Sequence, residues 1–341
     1  MKTTNNRVLF VVLNFNGWKD TIKCINSIFE QSYKNYHVLL IDNGSVDDSL
    51  RHLSIFKNKQ KITLQEEAVN HGFAGGVNIG IEHAIKNTYG YVALLNNDAV
   101  LTKDWLKIIL NSIRSNRSSI CTGLLLDSSG KKIESTGDSY SNYGLPYPRQ
   151  RDDKVSDAME SGFVFGGTAG ASVYTTELFE DIGFFDEKFF AYYEDTDISY
   201  RAQLAGHKAY YEKSAIAYHD HGTTSNKMPG FTVYQTFKNL PVFLWKNVPY
   251  QLLTGTVFRF YSVYFLMYIR AIIRGQFVIA SKGLVDSIKL LPHAFKQRRF
   301  IQKKRRVSIN YLEGIIFHGL PPNKKRKGVR IFHKWKQQKK L

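Results

Sequence analysis

Tyr91-Val92-Ala93-Leu94-Leu95-Asn96-Asn97-Asp98-Ala99-Val100 begins with five apolar or aromatic residues and then breaks at once into three polar ones. A short apolar run closed by a polar break is the pattern of a strand buried on both faces of a parallel sheet. Ligands of such open sheets bind beyond the carboxyl ends of the strands. Asp98 is therefore expected at the working edge, where a carboxylate can hold a divalent cation against a diphosphate. Asn and Asp are also ordinary turn formers, so this stretch alone leaves a plain strand-to-loop turn open.

The chain before this stretch has the same grammar. Val8 to Leu13 is a strand-like run ending at Asn14-Phe15-Asn16-Gly17, and His37 to Ile41 is a second, ending at Asp42-Asn43-Gly44-Ser45. Between them Ile22, Ile25, Ile28 and Phe29 recur at helical spacing. Lys61 to Leu64 is a short third strand. Strands alternating with helices at this spacing predict parallel βαβ units with right-handed crossovers. Asn70-His71-Gly72-Phe73-Ala74-Gly75-Gly76-Val77-Asn78 predicts a glycine-rich loop running into a helix at about 77–88. It lacks both G-x-G-x-x-G and Gly-Lys-Ser/Thr, so it is neither a dinucleotide fingerprint nor a P-loop. Such a loop can bring a phosphate or sugar close to backbone N–H groups, or serve only as a connection with packing glycines.

Downstream, a helix is expected near Asp104–Arg117 and a strand over Ile120–Leu126. Residues 127–160 are polar and read as a hairpin with a mobile loop, suited to a lid or an acceptor site. Strand character returns over Gly162–Tyr174. Tyr193-Glu194-Asp195-Thr196-Asp197 opens a helix carrying Arg201, and His207–Tyr218 leads to His219-Asp220-His221. Asp197 and Arg201 are four apart, the spacing of a helical ion pair, whereas Asp195 has no such partner.

The charge is uneven. Residues 1–221 hold 23 Lys+Arg against 27 Asp+Glu, whereas residues 222–341 hold 24 Lys+Arg against only Asp286 and Glu313. A strongly basic last third points to a polyanionic surface as partner, either nucleic acid or anionic lipid. Over residues 230–300 aromatic and apolar side chains are interleaved with Arg and Lys. Charge-free runs there reach about a dozen residues, fewer than the roughly 20 that span a bilayer. Arg270 and Arg274 lie about 20° and 60° from Arg259 around a helix, leaving one basic edge and a broad apolar remainder. That suits a helix lying in a membrane interface, with a helical subdomain packed on the core as the alternative. Two cysteines, Cys24 and Cys121, suggest neither a disulfide framework nor a zinc site, so a reducing compartment is expected. The run Val8–Leu13 is too short for a signal-peptide core, so the expected location is the cytoplasm.

Taken in order, the strand-end motifs at Asn14, Asp42 and Asn96-Asn97-Asp98, the glycine-rich segment, Tyr193-Glu194-Asp195-Thr196-Asp197 and His219 resemble glycosyltransferase family 2, the nucleotide-sugar transferases of the GT-A fold. Within it the sequence looks most like rhamnosyltransferase-type members that build bacterial surface polysaccharides. The resemblance covers about residues 7–225 and continues more loosely beyond. It implies an α/β fold, a Rossmann-like mixed sheet flanked by helices over residues 1–225. A membrane-associating helical region over 226–300 and a basic tail over 301–341 are then expected to follow. It also implies inverting transfer of a sugar from a nucleoside-diphosphate donor. The best donor is dTDP-rhamnose, the alternative a UDP-sugar (glucosyl, galactosyl or N-acetylhexosaminyl), and the acceptor a lipid-linked glycan at the inner face of the cell membrane.

By the same resemblance, Asn14, Asn16, Asp42, Gly75, Gly76, Asn78, Asn96 and Asn97 line the nucleotide and donor site. Asp42 would accept a hydrogen bond from a pyrimidine N–H; its other reading is an Asx turn. Asp98 occupies the family's D-x-D position and would bind Mg²⁺ or Mn²⁺, although Asn96 replaces the first carboxylate. His219 would be a further metal ligand, with His221 as its rival, and Asp195 the catalytic base. A nucleic-acid-binding protein leaves Asp42, Asp98 and Asp195 unexplained, so nucleic acid is not expected as a partner. A catalytically inactive sugar-binding module is the remaining rival.

Overall fold

A computed structural model describes residues 5–219 and 228–322. Four apolar runs form β1 (Val8–Asn14), β2 (Tyr36–Asn43), β3 (Ile62–Glu67) and β4 (Tyr91–Asn96), which lie parallel in the order β3-β2-β1-β4. They are linked through α1 (Trp18–Phe29), α2 (Ser49–Leu53) and α3 (Gly72–Lys86). The register pairs Asn14 with Asp42 and Leu13 with Asn96, so the polar strand ends expected from sequence stand in one row. The sheet continues past a short β5 (Ala99–Leu101) and α4 (Trp105–Asn116) into β6 (Ile120–Asp127). Next come β7 (Ile133–Ser135), β8 (Asp138–Tyr140), β9 (Pro146–Pro148), β10 (Gly162–Val164), β11 (Ala171–Thr175), α5 (Thr176–Ile182), α6 (Glu194–Leu204) and β12 (Ala209–His219). β11 runs antiparallel to both β4 and β6, while β12 is parallel to β6. This is the mixed sheet flanked by helices that the sequence implied.

The helix expected at about 77–88 starts earlier. Its first two turns are the glycine run itself, beginning at Gly72 in the left-handed region (φ +71). Glycine hides this start because it contributes no apolar side chain to the periodicity. A Cβ on Gly80 would fall 2.4 Å from Val11 Cγ2, and one on Gly76 2.7 Å from Leu13 Cδ1, so these glycines let α3 lie close against β1.

Two apolar clusters cover the two faces of the sheet, one under α1 and α4, the other under α3 and α5. A third lies beside them. It joins Tyr140, Phe165, Phe189, Tyr200 and Leu204 to residues of α7 (Phe231–Asn247), α8 (Tyr250–Ile273), α9 (Phe277–Lys303) and α10 (Ile309–Ile315). The C-terminal helices therefore share a core with the preceding domain across position 225. α7 is largely buried. α8 is long and apolar enough to cross a membrane by length and composition. Arg259 and Arg270 interrupt its charge-free runs, as read from sequence, without lowering the overall apolar character. One face of α8 packs inward through Leu253, Phe260, Tyr264 and Ala271. His221 and the basic run Lys324–Lys327 lie outside the described residues.

Candidate active site

The strand ends open into a cleft of about 720 Å³. Asn96, Asn97 and Asp98 line it from the end of β4, His219 from the end of β12, and Glu194 and Asp195 from the start of α6. Residues far apart in sequence thus meet where the sheet topology brings their strand ends together.

His219 is held on both sides. Its Nε2 lies 2.9 Å from Asp98 Oδ1 and 3.1 Å from Asn96 Nδ2, and its Nδ1 lies 2.8 Å from Glu134 Oε2. Burial disfavours the charged ring, but the hydrogen bonds and charges of Asp98 and Glu134 outweigh it and push His219 up to about 10. A carboxylate oxygen and, once the ring gives up its Nε2 proton to an incoming cation, an imidazole nitrogen are suitable donors for Mg²⁺ or Mn²⁺. A carboxylate on the far ring nitrogen is the usual second support of such a ligand. Among the described residues no group of three or more His, Cys, Asp or Glu is arranged to hold a metal by itself. The two-donor set fits a cation of the Mg²⁺ type, which takes one or two protein ligands and completes its shell with substrate phosphates and water.

Asp195 sits in the first turn of α6, where its Oδ1 accepts from the Thr196 N–H at 2.7 Å. Burial raises its proton affinity, partly offset by hydrogen bonds from the backbone at Thr196 and Ala169. Glu194 and Asp138 are raised further, first by burial and then by the charge of Asp195. Asp197 points the other way, with Arg201 Nε at 2.9 Å, as its spacing predicted. The segment leading to α6 holds Phe190, Tyr192 and Tyr193 at φ 66°, 68° and 72°. Bulky residues in this region cost on the order of 1–3 kcal/mol each and persist only where surrounding structure enforces them.

Of the residues assigned to the nucleotide, Asn96 and Asn97 line the cleft; on the β1 and β2 side the wall is made instead by the neighbouring Leu13, Phe15 and Asn43. Asn14 and Asp42 lie fully buried behind them. Asn14 Nδ2 donates to Asp42 Oδ1 at 2.6 Å, and Asp42 accepts from the N–H and Oγ of Ser45, three residues on, so its carboxylate closes the turn one residue beyond an Asx turn. Asn16 Oδ1 accepts from the N–H groups of Val46 and Asp47. Thr21 Oγ1 donates to Asn14 and accepts from Asn97 Nδ2, joining these loops to the metal-side strand end. Gly75 and Gly76 are buried within α3. Asn78 bonds Phe185 through both its amide oxygen and nitrogen, tying α3 to the segment before α6.

The sequence pattern of glycosyl transferase family 2 matches residues 9–182. The chain belongs to that family. An uncharacterized glycosyltransferase of Rickettsia felis is 34% identical over 134 residues, covering 39% of this chain and 21% of the relative. The chain thus spans only about a fifth of that protein. Two solved structures share the fold. TarS 1-349 of S. aureus in complex with UDP-GlcNAc has a TM-score of 0.55 at 16% identity, covering 90% of this chain and 92% of that one. The mannosyltransferase PcManGT of Pyrobaculum calidifontis with GDP-Man and Mn²⁺ has a TM-score of 0.54 at 14% identity, covering 89% and 86%.

In this family 2 glycosyltransferase the far wall of the cleft comes from the polar segment 127–160. That segment is anchored rather than loose: β7 joins the main sheet, β8 and β9 form a hairpin, and Tyr140 is buried. It supplies Glu134, Asp138, Tyr147 and Arg151 to the cleft, opposite Tyr192 and Phe231. Sequence reading offered the segment 127–160 as a lid or acceptor site but singled out none of these six residues. Glu134 and Asp138 sit on or at strands of three residues, too short to show a period-2 pattern.

Proposed function

We propose that this glycosyltransferase moves a sugar with inversion from a nucleoside-diphosphate donor, dTDP-rhamnose by resemblance, to a lipid-linked glycan. The observation that carries the reading is the opening of Asp98, His219 and Asp195 into one cleft. Asp195, with its raised proton affinity, takes the proton from the acceptor hydroxyl as that oxygen attacks the anomeric carbon. The bond from the anomeric carbon to the diphosphate breaks, and the nucleoside diphosphate leaves on the opposite face. Asp98 and His219 would hold Mg²⁺ or Mn²⁺, which when bound supplies Lewis-acid stabilisation of the departing diphosphate. Glu134 keeps the His219 ring oriented. The aromatic rings of Tyr147, Tyr192 and Phe231 suit the apolar faces of an acceptor sugar.

The same reading places the enzyme on an anionic membrane, at its cytoplasmic face. Phe258, Phe265, Leu266 and Ile273 of α8 and Val278 of α9 are each more than 60% exposed. Arg259, Arg270, Arg274 and Lys282 are exposed beside them. Apolar side chains that enter the interface together with cations that meet lipid phosphates are the two signals stable peripheral attachment requires.

Titration of the full chain with dTDP-rhamnose and a panel of UDP-sugars in Mn²⁺, followed by release of nucleoside diphosphate, tests the donor. Tight binding and turnover of dTDP-rhamnose support the reading. Preference for a UDP-sugar reassigns the donor, and binding without turnover makes the chain a sugar-binding module.

A further inference from the structure

The strained segment before α6 is gripped from two sides. On one, the Ala74 N–H donates to Phe190 O at 3.1 Å, and Gly72 lies so close that a Cβ there would fall 2.5 Å from the same oxygen. On the other, α7 lays one face along the segment. Thr232 Oγ1 donates to the Tyr192 hydroxyl, Thr236 Oγ1 meets the Tyr193 hydroxyl, and Asn239 Nδ2 reaches three main-chain carbonyls. Those carbonyls are Phe189 O at 3.0 Å, Ala191 O at 3.0 Å and Tyr192 O at 2.8 Å. Positions 232, 236 and 239 follow the i, i+4, i+7 spacing of one helix face.

Asn239 is 1% exposed, and its amide nitrogen is spent on a backbone that turns left-handed at Phe190, Tyr192 and Tyr193. Three carbonyls converging on one amide is an arrangement that regular backbone does not offer. Two residues beyond the last of them the chain starts α6 with Glu194 and Asp195. We propose that Asn239 is a positioning residue for the transfer: by tying Phe189, Ala191 and Tyr192 to α7 it fixes where Asp195 stands in the cleft. The C-terminal helices then complete the active site, and the element that packs against the membrane-facing helices is the one that holds the base. The proposal rests on Asp195 being that base.

The two N–H groups of Asn239 are shared among three carbonyls; Asn239→Ala removes all three contacts, and Asn239→Ser keeps one donor. In the full chain, with the donor selected by the nucleotide-sugar panel, Asn239→Ala should lower kcat by about 10²-fold, the size of effect a small misplacement of a reacting group produces. Donor KM should stay within about twofold, because the nucleotide side of the cleft is untouched. Asn239→Ser should fall between. Added to Asp195→Asn, Asn239→Ala should cost nothing further, since two residues acting as a unit are not additive. Near-normal kcat in Asn239→Ala, a KM that rises in step with the loss of rate, full additivity with Asp195→Asn, or failure of both variants to fold would each overturn the proposal. Near-normal turnover of Asp195→Asn would overturn the base assignment itself and this proposal with it. An inactive Asp195→Asn beside a normal Asn239→Ala overturns the proposal alone.

Discussion

Glu134 and His219 meet through a 2.8 Å contact between a carboxylate oxygen and the ring Nδ1, on the side of the imidazole away from Asp98. If His219 serves as a metal ligand, this contact sets its tautomer and tilt. Glu134→Gln should then weaken Mn²⁺ binding by about 10–100-fold, the usual cost of losing such a support. Asp98→Ala should weaken it more, with the fold intact. Both are read from the Mn²⁺ dependence of nucleotide binding. Unchanged dependence in the two variants would remove the metal from this end of the cleft.

Lys246 is a second test of the fold around the base. Its ammonium lies 2.6 Å from Asp186 and 2.8 Å from Asp197, with its side chain only 3% exposed. Burial works against the Asp186 charge, but Lys246 and His293 hold its carboxyl well below the usual range. A depressed carboxylate adds stability above its unfolded pKa and loses it as the pH falls through the folded value. Lys246→Met keeps the volume and takes one cation from two buried carboxylates, leaving Asp197 with Arg201 and Asp186 with His293, and should cost at most about 3–5 kcal/mol near neutral pH and less in acid. Urea unfolding of both proteins at two pH values measures it. An equal cost at both would mean that packing, not charge, is what Lys246 contributes.

The strands were legible in the sequence and the clamp on the active site was not, for a physical reason. β1, β2 and β4 are buried on both faces, so apolar runs with polar ends marked both the elements and their working edge. In residues 230–300 that logic does not reach the contacts. Lys238, Asn239, Lys246 and Asn247 resemble the polar face of a surface helix, yet all four are buried. They point at carboxylates and bent backbone on the segment 186–197, partners invisible until the chain is folded. The basic residues of α8 do face out, as their helical spacing predicted. Gly75, Gly76 and Gly80 were visible as glycines, but only the closeness of α3 to β1 reveals that packing requires them.

The pH dependence of turnover follows from Asp195. Burial raises its pKa. A base must be deprotonated to act, so kcat should fall as the pH drops through that raised value. The acid limb should therefore lie above the usual aspartate value of about 3.9. A kcat–pH profile at saturating donor shows it. A limb at the ordinary aspartate value would contradict the buried setting of the base.

Membrane attachment is tested by co-sedimentation of the full chain with anionic and neutral vesicles, since removing the C-terminal helices would open the third core cluster. Binding should favour anionic vesicles and weaken in high salt. Replacing Arg259, Arg270 and Arg274 by Gln should remove about 3 kcal/mol, at roughly 1 kcal/mol for each cation near the surface. Equal binding to both vesicle types would dismiss the electrostatic part. No binding to either would leave the apolar face of α8 for a protein partner.

The central claim, inverting transfer with Asp195 as base, meets its most direct test in Asp195→Asn. The amide keeps the shape but cannot take the acceptor proton. Turnover should fall on the order of 10²–10⁴-fold, while calorimetric affinity for the donor in Mn²⁺ stays near that of the unaltered protein. Loss of donor affinity matching the loss of rate, or a larger rate loss in Glu194→Gln, would contradict the assignment.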